Sequence, residues 1–260
     1  MEQMVRVRDG EVWADDSGGA GDGPPLVLLH PGVGDSRIWD PVLPALAERH
    51  RVIRYDVRGY GRSPAPTTSY THSGDLRSVL DHFGLARAVL VGTSMGGKTA
   101  ITYALGDPGR VAALGLLVPG VTGHPDLKLP ELTEQIGKLA QAGDMDGLVA
   151  LGLRVWGAAG TAPDAAAAEQ LRAAIPGWFS NYGHETEDAP AFDRLGELKL
   201  PCALLLGEQD IPEVVRCNEE MAARIPGCRL VRHPDCDHFP TLRVPDEVVR
   251  LVAELYARVA

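Results

Sequence analysis

An α/β fold built on a mostly parallel sheet of eight strands flanked by helices is what the sequence predicts. Three observations carry that expectation. Short apolar runs rich in β-branched residues alternate with segments of helical periodicity, the pattern of successive βαβ units. The runs are apolar at almost every position, as strands covered on both faces must be. At 260 residues the chain is long enough for one such sheet together with an inserted subdomain.

The elements follow in order. Residues 4–8 and 11–14 flank Asp9-Gly10, a dipeptide suited to a tight turn, and predict an antiparallel entry hairpin. Buried strands are expected at 25–30 (PLVLLH), 51–56 (RVIRYD), 88–92 (AVLVG), 113–119 (ALGLLVP), 202–207 (CALLLG) and 228–233 (CRLVRH). Helices are expected at 38–49, 73–83 (closed by Gly84), 95–105, 212–224 and 246–259.

From about 120 to 198 the strand pattern disappears. Gly- and Pro-punctuated helical segments take its place and carry Trp156, Trp178, Phe179 and Tyr182. The run DAAAAEQLRAA within it predicts a helix capped by Asp164, just after Pro163. An insertion between two core strands is the expected form of a helical lid. It divides the chain into a core of 1–119 and 199–260 and a lid of 120–198. The alternative is a pair of ordinary surface helices with those aromatics as their core.

Composition excludes some function classes. The 25 basic and 35 acidic residues give a net charge of -10, which disfavours nucleic acid and anionic membrane surfaces as partners. No stretch approaches the ~18 apolar residues of a membrane span, and the polar, acidic start MEQMVRVRDGEVWADD is unlike a secretory signal. Cys202, Cys217, Cys228 and Cys236 lack metal-ligand spacing, so no metal is expected, and reduced thiols in a cytoplasmic protein are.

The stretch VLVGTSMGGKTA (89–100) satisfies two motif definitions. Gly92 to Gly96 is a G-x-S-x-G nucleophile elbow presenting Ser94. Gly92 to Thr99 is also G-x-x-x-x-G-K-[ST], a phosphate loop. A phosphate loop needs a carboxylate at the end of a neighbouring apolar strand to hold Mg²⁺. Asp56 is a poor candidate, because Arg54 interrupts its run. The elbow needs a later carboxylate and then a histidine, each beyond a core strand. CALLLGEQD supplies Asp210, and CRLVRHPDCDHF supplies His238. Glu208, Asp235 and Asp237 are rival carboxylates, and His233 is the rival histidine. The order Ser94, Asp210, His238 favours the elbow and leaves Lys98 as part of a helix surface.

With these residues in hand, the chain resembles the α/β-hydrolase superfamily over nearly its whole length. The resemblance runs through LLHPGVG (28–34), RYDVRGYGRSPAP (54–66), LLLGEQD (204–210) and DHFP (237–240). It is closest in flavour to 3-oxoadipate enol-lactonase-like members, a branch that shades into esterases, perhydrolases and C–C hydrolases. Two departures are visible: Asp237 stands before His238 where the family has glycine, and Lys98 follows the double glycine.

The resemblance implies a serine hydrolase that cleaves a small carboxylic ester or lactone through an acyl-enzyme, with no cofactor. A perhydrolase or C–C bond hydrolase with the same triad, or a ligand-binding member with little turnover, are the alternatives. Ser94 would be the nucleophile, His238 its base, and Asp210 the group that orients the imidazole. The oxyanion hole would combine the Met95 N–H, at the start of a helix, with that of Gly32 in the loop after LVLLH; Pro31 has no N–H to give. Val33, Trp156, Trp178, Phe179 and Tyr182 are the expected substrate wall. His30, Asp56 and Arg58 are expected to support the fold, and the other histidines to lie on surfaces or idle in the lid. Oligomeric state stays open.

Overall fold

A computed structural model of the chain describes residues 1–19, 21 and 23–259. β1 (Glu2–Val7) and β2 (Gly10–Asp16) form the predicted hairpin, with Asp9 left-handed (φ 54°) at its tip. β3 (Leu26–Leu29), β4 (Val52–Tyr55), β5 (Ala88–Thr93), β6 (Val111–Leu117), β7 (Cys202–Gly207) and β8 (Arg229–His233) follow. All eight belong to one sheet, in the order β1-β2-β4-β3-β5-β6-β7-β8. β1 and β2 pair antiparallel, as do β2 and β4; every other pair is parallel.

The helices are α1 (Leu43–Ala47), α2 (His72–His82), α3 (Met95–Gly106), α4 (Pro130–Gln141), α5 (Met145–Trp156), α6 (Ala165–Ser180), α7 (Pro212–Arg224), α8 (Pro240–Arg243) and α9 (Pro245–Ala257). Alternate strand residues enter different cores, because successive side chains point to opposite faces. Val27, Leu29 and Leu90 pack with Leu76 and Leu80 of α2, Ile101 of α3 and Met221 of α7. Leu26, Leu28 and Val91 pack with Leu46 of α1 and Leu251 and Leu255 of α9. With both faces covered, the central strands are buried throughout.

Two expectations change. The helix predicted over 38–49 is a 3₁₀ turn, Ser36–Trp39, followed by the short α1. Pro41 and Pro44 each remove a backbone donor, which disfavours one continuous helix, and Pro44 is accommodated in the first turn of α1, where its missing N–H would have had no helical acceptor. The strand predicted as buried at 228–233 is the edge strand β8, whose Arg229, Leu230 and Arg232 are exposed. No described strand lies beyond it, so only its β7 side is paired.

Between β6 and β7 lie the helices α4 to α6, here called the insertion. The Asp164 side chain caps α6 by accepting the Ala167 N–H. The insertion buries Leu148, Val149, Leu171 and Ile175 in the same core as Val33, Ile38 and Trp39. It therefore lies over the loops at the carboxyl ends of the parallel strands, where open α/β sheets place their ligands.

Candidate active site

Ser94 is the single residue between the last residue of β5 and the first of α3. Its backbone is strained, at φ 49° and ψ -109°, a region that non-glycine residues rarely occupy. The surroundings hold it there. The Ser94 N–H donates to the Leu117 carbonyl at 3.0 Å, while its own carbonyl accepts from Lys98 at 2.9 Å and Gly120 at 3.0 Å. The glycines around it are dictated by close packing. A Cβ on Gly96 would lie 2.1 Å from the Leu29 carbonyl oxygen, and one on Gly97 would lie 2.7 Å from Pro119. A Cβ on Gly92 would lie 2.3 Å from the Gly96 backbone. This tight turn also disposes of the phosphate loop, because Met95 to Thr99 are already helical and no loop remains to wrap a phosphate.

Asp210 lies beyond β7 and His238 beyond β8, both buried. His238 Nδ1 is 2.5 Å from Asp210 Oδ2, and His238 Nε2 is 2.8 Å from Ser94 Oγ. The first contact selects the tautomer with a proton on Nδ1, leaving Nε2 free to accept the serine proton. The other Asp210 oxygen accepts the Ile211 N–H at 2.8 Å, which fixes the carboxylate's rotation. The rivals are engaged elsewhere: Glu208 pairs with Arg232, and Asp237 with Arg243. His233 accepts from the Asp235 N–H.

The Met95 N–H opens α3, where the first N–H groups have no acceptor within the helix. Gly32 lies against the Met95 side chain: a Cβ built there would lie 3.8 Å from the Met95 sulfur. His30 braces this loop. Its Nδ1 lies 2.8 Å from the Pro31 carbonyl, and its Nε2 accepts the Val57 N–H at 2.9 Å. Asp56 accepts from the Ser36 and Arg62 N–H groups, and Arg58 forms a two-armed pair with Asp75. All three are supports, in line with expectation.

A cavity of about 400 Å³ opens beside Ser94 and His238. Gly32, Val33, Met95, Trp156 and Trp178 line it. Phe179 and Tyr182 do not; they are 45% and 89% exposed and point away, which corrects the expected wall of four aromatics. A helix turns about 100° per residue, so Trp178 facing inward sends Phe179 outward. Trp178 also donates from Nε1 to the Gly32 carbonyl at 2.6 Å, a contact with no sequence signal. Tyr60, Val121, His124 and Leu127 also line it, as do the charged Lys128 and Glu187, none of them foreseen there.

Lys98 is a second correction. It lines the cavity and pairs with Glu185 of the insertion at 3.2 Å, instead of merely continuing a helix surface. His72 is buried rather than superficial, and burial pushes its imidazole down to about 4; His124, within the insertion, is buried too. Among the described residues, no cluster of three or more His, Cys, Asp or Glu has metal-binding geometry, and no helix is long and apolar enough to cross a membrane.

A family model described as alpha/beta hydrolase fold matches residues 24–186. A 2-hydroxy-6-oxononadienedioate/2-hydroxy-6-oxononatrienedioate hydrolase of Burkholderia vietnamiensis is 30% identical, over 90% of this chain and 87% of that one. The protein of the same description from Cupriavidus pinatubonensis is 28% identical, over 91% and 89%. Among solved structures, the enol-lactonase from Burkholderia xenovorans LB400 superposes with a TM-score of 0.82 at 25% identity, covering 98% of this chain and all of that one (100%).

Proposed function

Since the chain belongs to the alpha/beta hydrolase fold family, we propose that it is a serine hydrolase that cleaves a small carboxylic ester or lactone. The observation that carries this reading is the continuous contact from Asp210 through His238 to the Ser94 hydroxyl, on a backbone strained to present it. His238 Nε2 takes the hydroxyl proton as Ser94 Oγ attacks the carbonyl carbon. Asp210 keeps the imidazole oriented and offsets the imidazolium charge. The oxyanion that forms accepts from the Met95 and Gly32 N–H groups; losing one such donor typically costs ~10²–10³ in rate. Collapse of the tetrahedral intermediate breaks the ester C–O bond, and His238 returns the proton to the leaving oxygen. Water, activated by the same imidazole, then releases the acid and restores Ser94.

The cavity volume of about 400 Å³ suits a small ligand, and Val33, Trp156 and Trp178 offer it an apolar surface beneath the helical insertion, which acts as a lid over the site. No step calls for a cofactor. A C–C bond hydrolase with the same triad is the second reading, favoured by the descriptions of the two relatives that align along most of the chain.

The test is a panel of short p-nitrophenyl esters, lactones and meta-cleavage diketones, run beside Ser94→Ala. The expected result is turnover of an ester or lactone that the variant abolishes while its circular dichroism is unchanged. Wild-type rates in Ser94→Ala would sink the assignment. Preferred turnover of a diketone would move it to the second reading, and labelling of Ser94 by a fluorophosphonate without turnover would mark a binding member.

A further inference from the structure

Asp237 stands immediately before His238, and the hydrolytic steps above make no use of it. Its carboxylate is fully buried, at 0% exposure, and both oxygens are engaged. Oδ1 accepts the Phe239 N–H at 2.9 Å, a turn closed across His238 by its own neighbour's side chain. Oδ2 accepts from the Ala159 N–H and from Arg243 Nε, both at 3.0 Å. The guanidinium of Arg243 also binds Asp164, the residue that caps α6. The His238 N–H itself donates to the carbonyl of Trp156, the last residue of α5, at 3.2 Å.

Residues 237–239 are thus fastened to both ends of the connection between α5 and α6. A buried carboxylate is tolerated only where donors satisfy it, so the loop is confined to the arrangement in which Ala159 and Arg243 meet Oδ2. A buried ion pair is weak evidence for stability, and fixing one conformation is a use that some proteins make of it.

We propose that Asp237 is a positioning residue for His238, a buried tether that makes the Ser94–His238 geometry depend on the helical insertion as well as on the core. The proposal rests on the reading of Ser94 and His238 as nucleophile and base. It explains why a carboxylate occupies a position where the resemblance leads to an expectation of glycine. It also gives the insertion a part in the chemistry beyond covering the cavity.

The experiment measures the rate at which a fluorophosphonate labels Ser94, by intact mass, together with kcat, KM and thermal unfolding. Four proteins are compared: wild type, Asp237→Asn, Arg243→Met and Arg243→Gln. Asp237→Asn keeps the shape but can turn a donor toward two donors. Arg243→Met removes the side-chain donor to Oδ2 and leaves only the Ala159 N–H, whereas the Gln nitrogen of Arg243→Gln occupies the same place along the side chain as Arg Nε and restores it. Displacing a reacting group by about 1 Å can cost ~10²-fold, so Asp237→Asn and Arg243→Met are expected to slow labelling and kcat by about 10- to 100-fold with KM little changed. Arg243→Gln is expected to recover most of that loss.

Lower melting temperatures with wild-type labelling rates would overturn the proposal, by reducing Asp237 to a structural role. Equal losses in Arg243→Met and Arg243→Gln would overturn it as well. If Asp237→Asn does not fold, the two Arg243 variants decide by themselves. Failure of the wild type to label at Ser94 is a different result: it removes the nucleophile assignment on which the proposal stands.

Discussion

Trp178→Phe separates two roles that the structure gives one side chain. Trp178 lines the cavity, and its Nε1 donates to the Gly32 carbonyl at 2.6 Å. Phe keeps an aromatic surface and removes the donor. A neutral hydrogen bond of this kind contributes about 1 kcal/mol net. Losing it loosens Gly32, whose N–H is the proposed second oxyanion donor, with roughly a fivefold shift in population away from the anchored backbone, since 1.4 kcal/mol is a factor of ten. The ceiling is the full loss of one oxyanion donor, ~10²–10³. The expected outcome is therefore a fall in kcat of between about fivefold and 100-fold, with a smaller change in KM. Initial rates on the best ester substrate give both constants. A boronic acid, whose adduct with Ser94 resembles the tetrahedral intermediate, should lose affinity in parallel with kcat. A variant with unchanged kcat and raised KM would refute the reasoning and leave Trp178 as wall alone.

Asp210→Asn replaces the acceptor 2.5 Å from His238 Nδ1 with an amide that favours the wrong tautomer. A fall in kcat on the order of 10⁴ with native circular dichroism is expected, and a loss below tenfold would point to another carboxylate. Gly96→Ala brings a Cβ to 2.1 Å from the Leu29 carbonyl, whereas Gly106→Ala on the same helix meets nothing within 4 Å. Urea unfolding should show the first destabilised by at least about 2 kcal/mol and the second unchanged or slightly stabilised. His72 is buried and its imidazole is pushed from 6.5 to about 4, mainly by desolvation and partly countered by Glu185. The unfolded chain then binds the proton first, so stability is lost as pH falls below 6.5 and the loss is complete near 4. Roughly 3 kcal/mol should disappear over that window in the wild type and be absent in His72→Gln, measured by denaturant unfolding at several pH values.

Much of this protein is written in short stretches of its sequence. The run at 89–100 determines the strand-to-helix turn that presents Ser94, because the glycines that frame it answer to close packing against Leu29 and Pro119, and the serine to the strained turn they allow. The positions of Asp210 and His238 were legible for the same kind of reason: each follows a parallel strand whose carboxyl end must emerge on the same side of the sheet. What tertiary structure alone decided is the phase of helices against distant loops. Trp178 and Phe179 are adjacent and equally aromatic, yet one meets Gly32 while the other is 45% exposed. In the Ala-rich α6, too few large side chains mark the inner face for the sequence to tell them apart. Lys98 carries no sign in its own neighbourhood that Glu185 waits 87 positions away. Asp237 stands in the sequence only as a rival carboxylate, and its surroundings are set by folding, which places Ala159 and Arg243 around it. Local sterics can be read from neighbours in the chain, whereas a buried charge takes its meaning from partners that only the fold supplies.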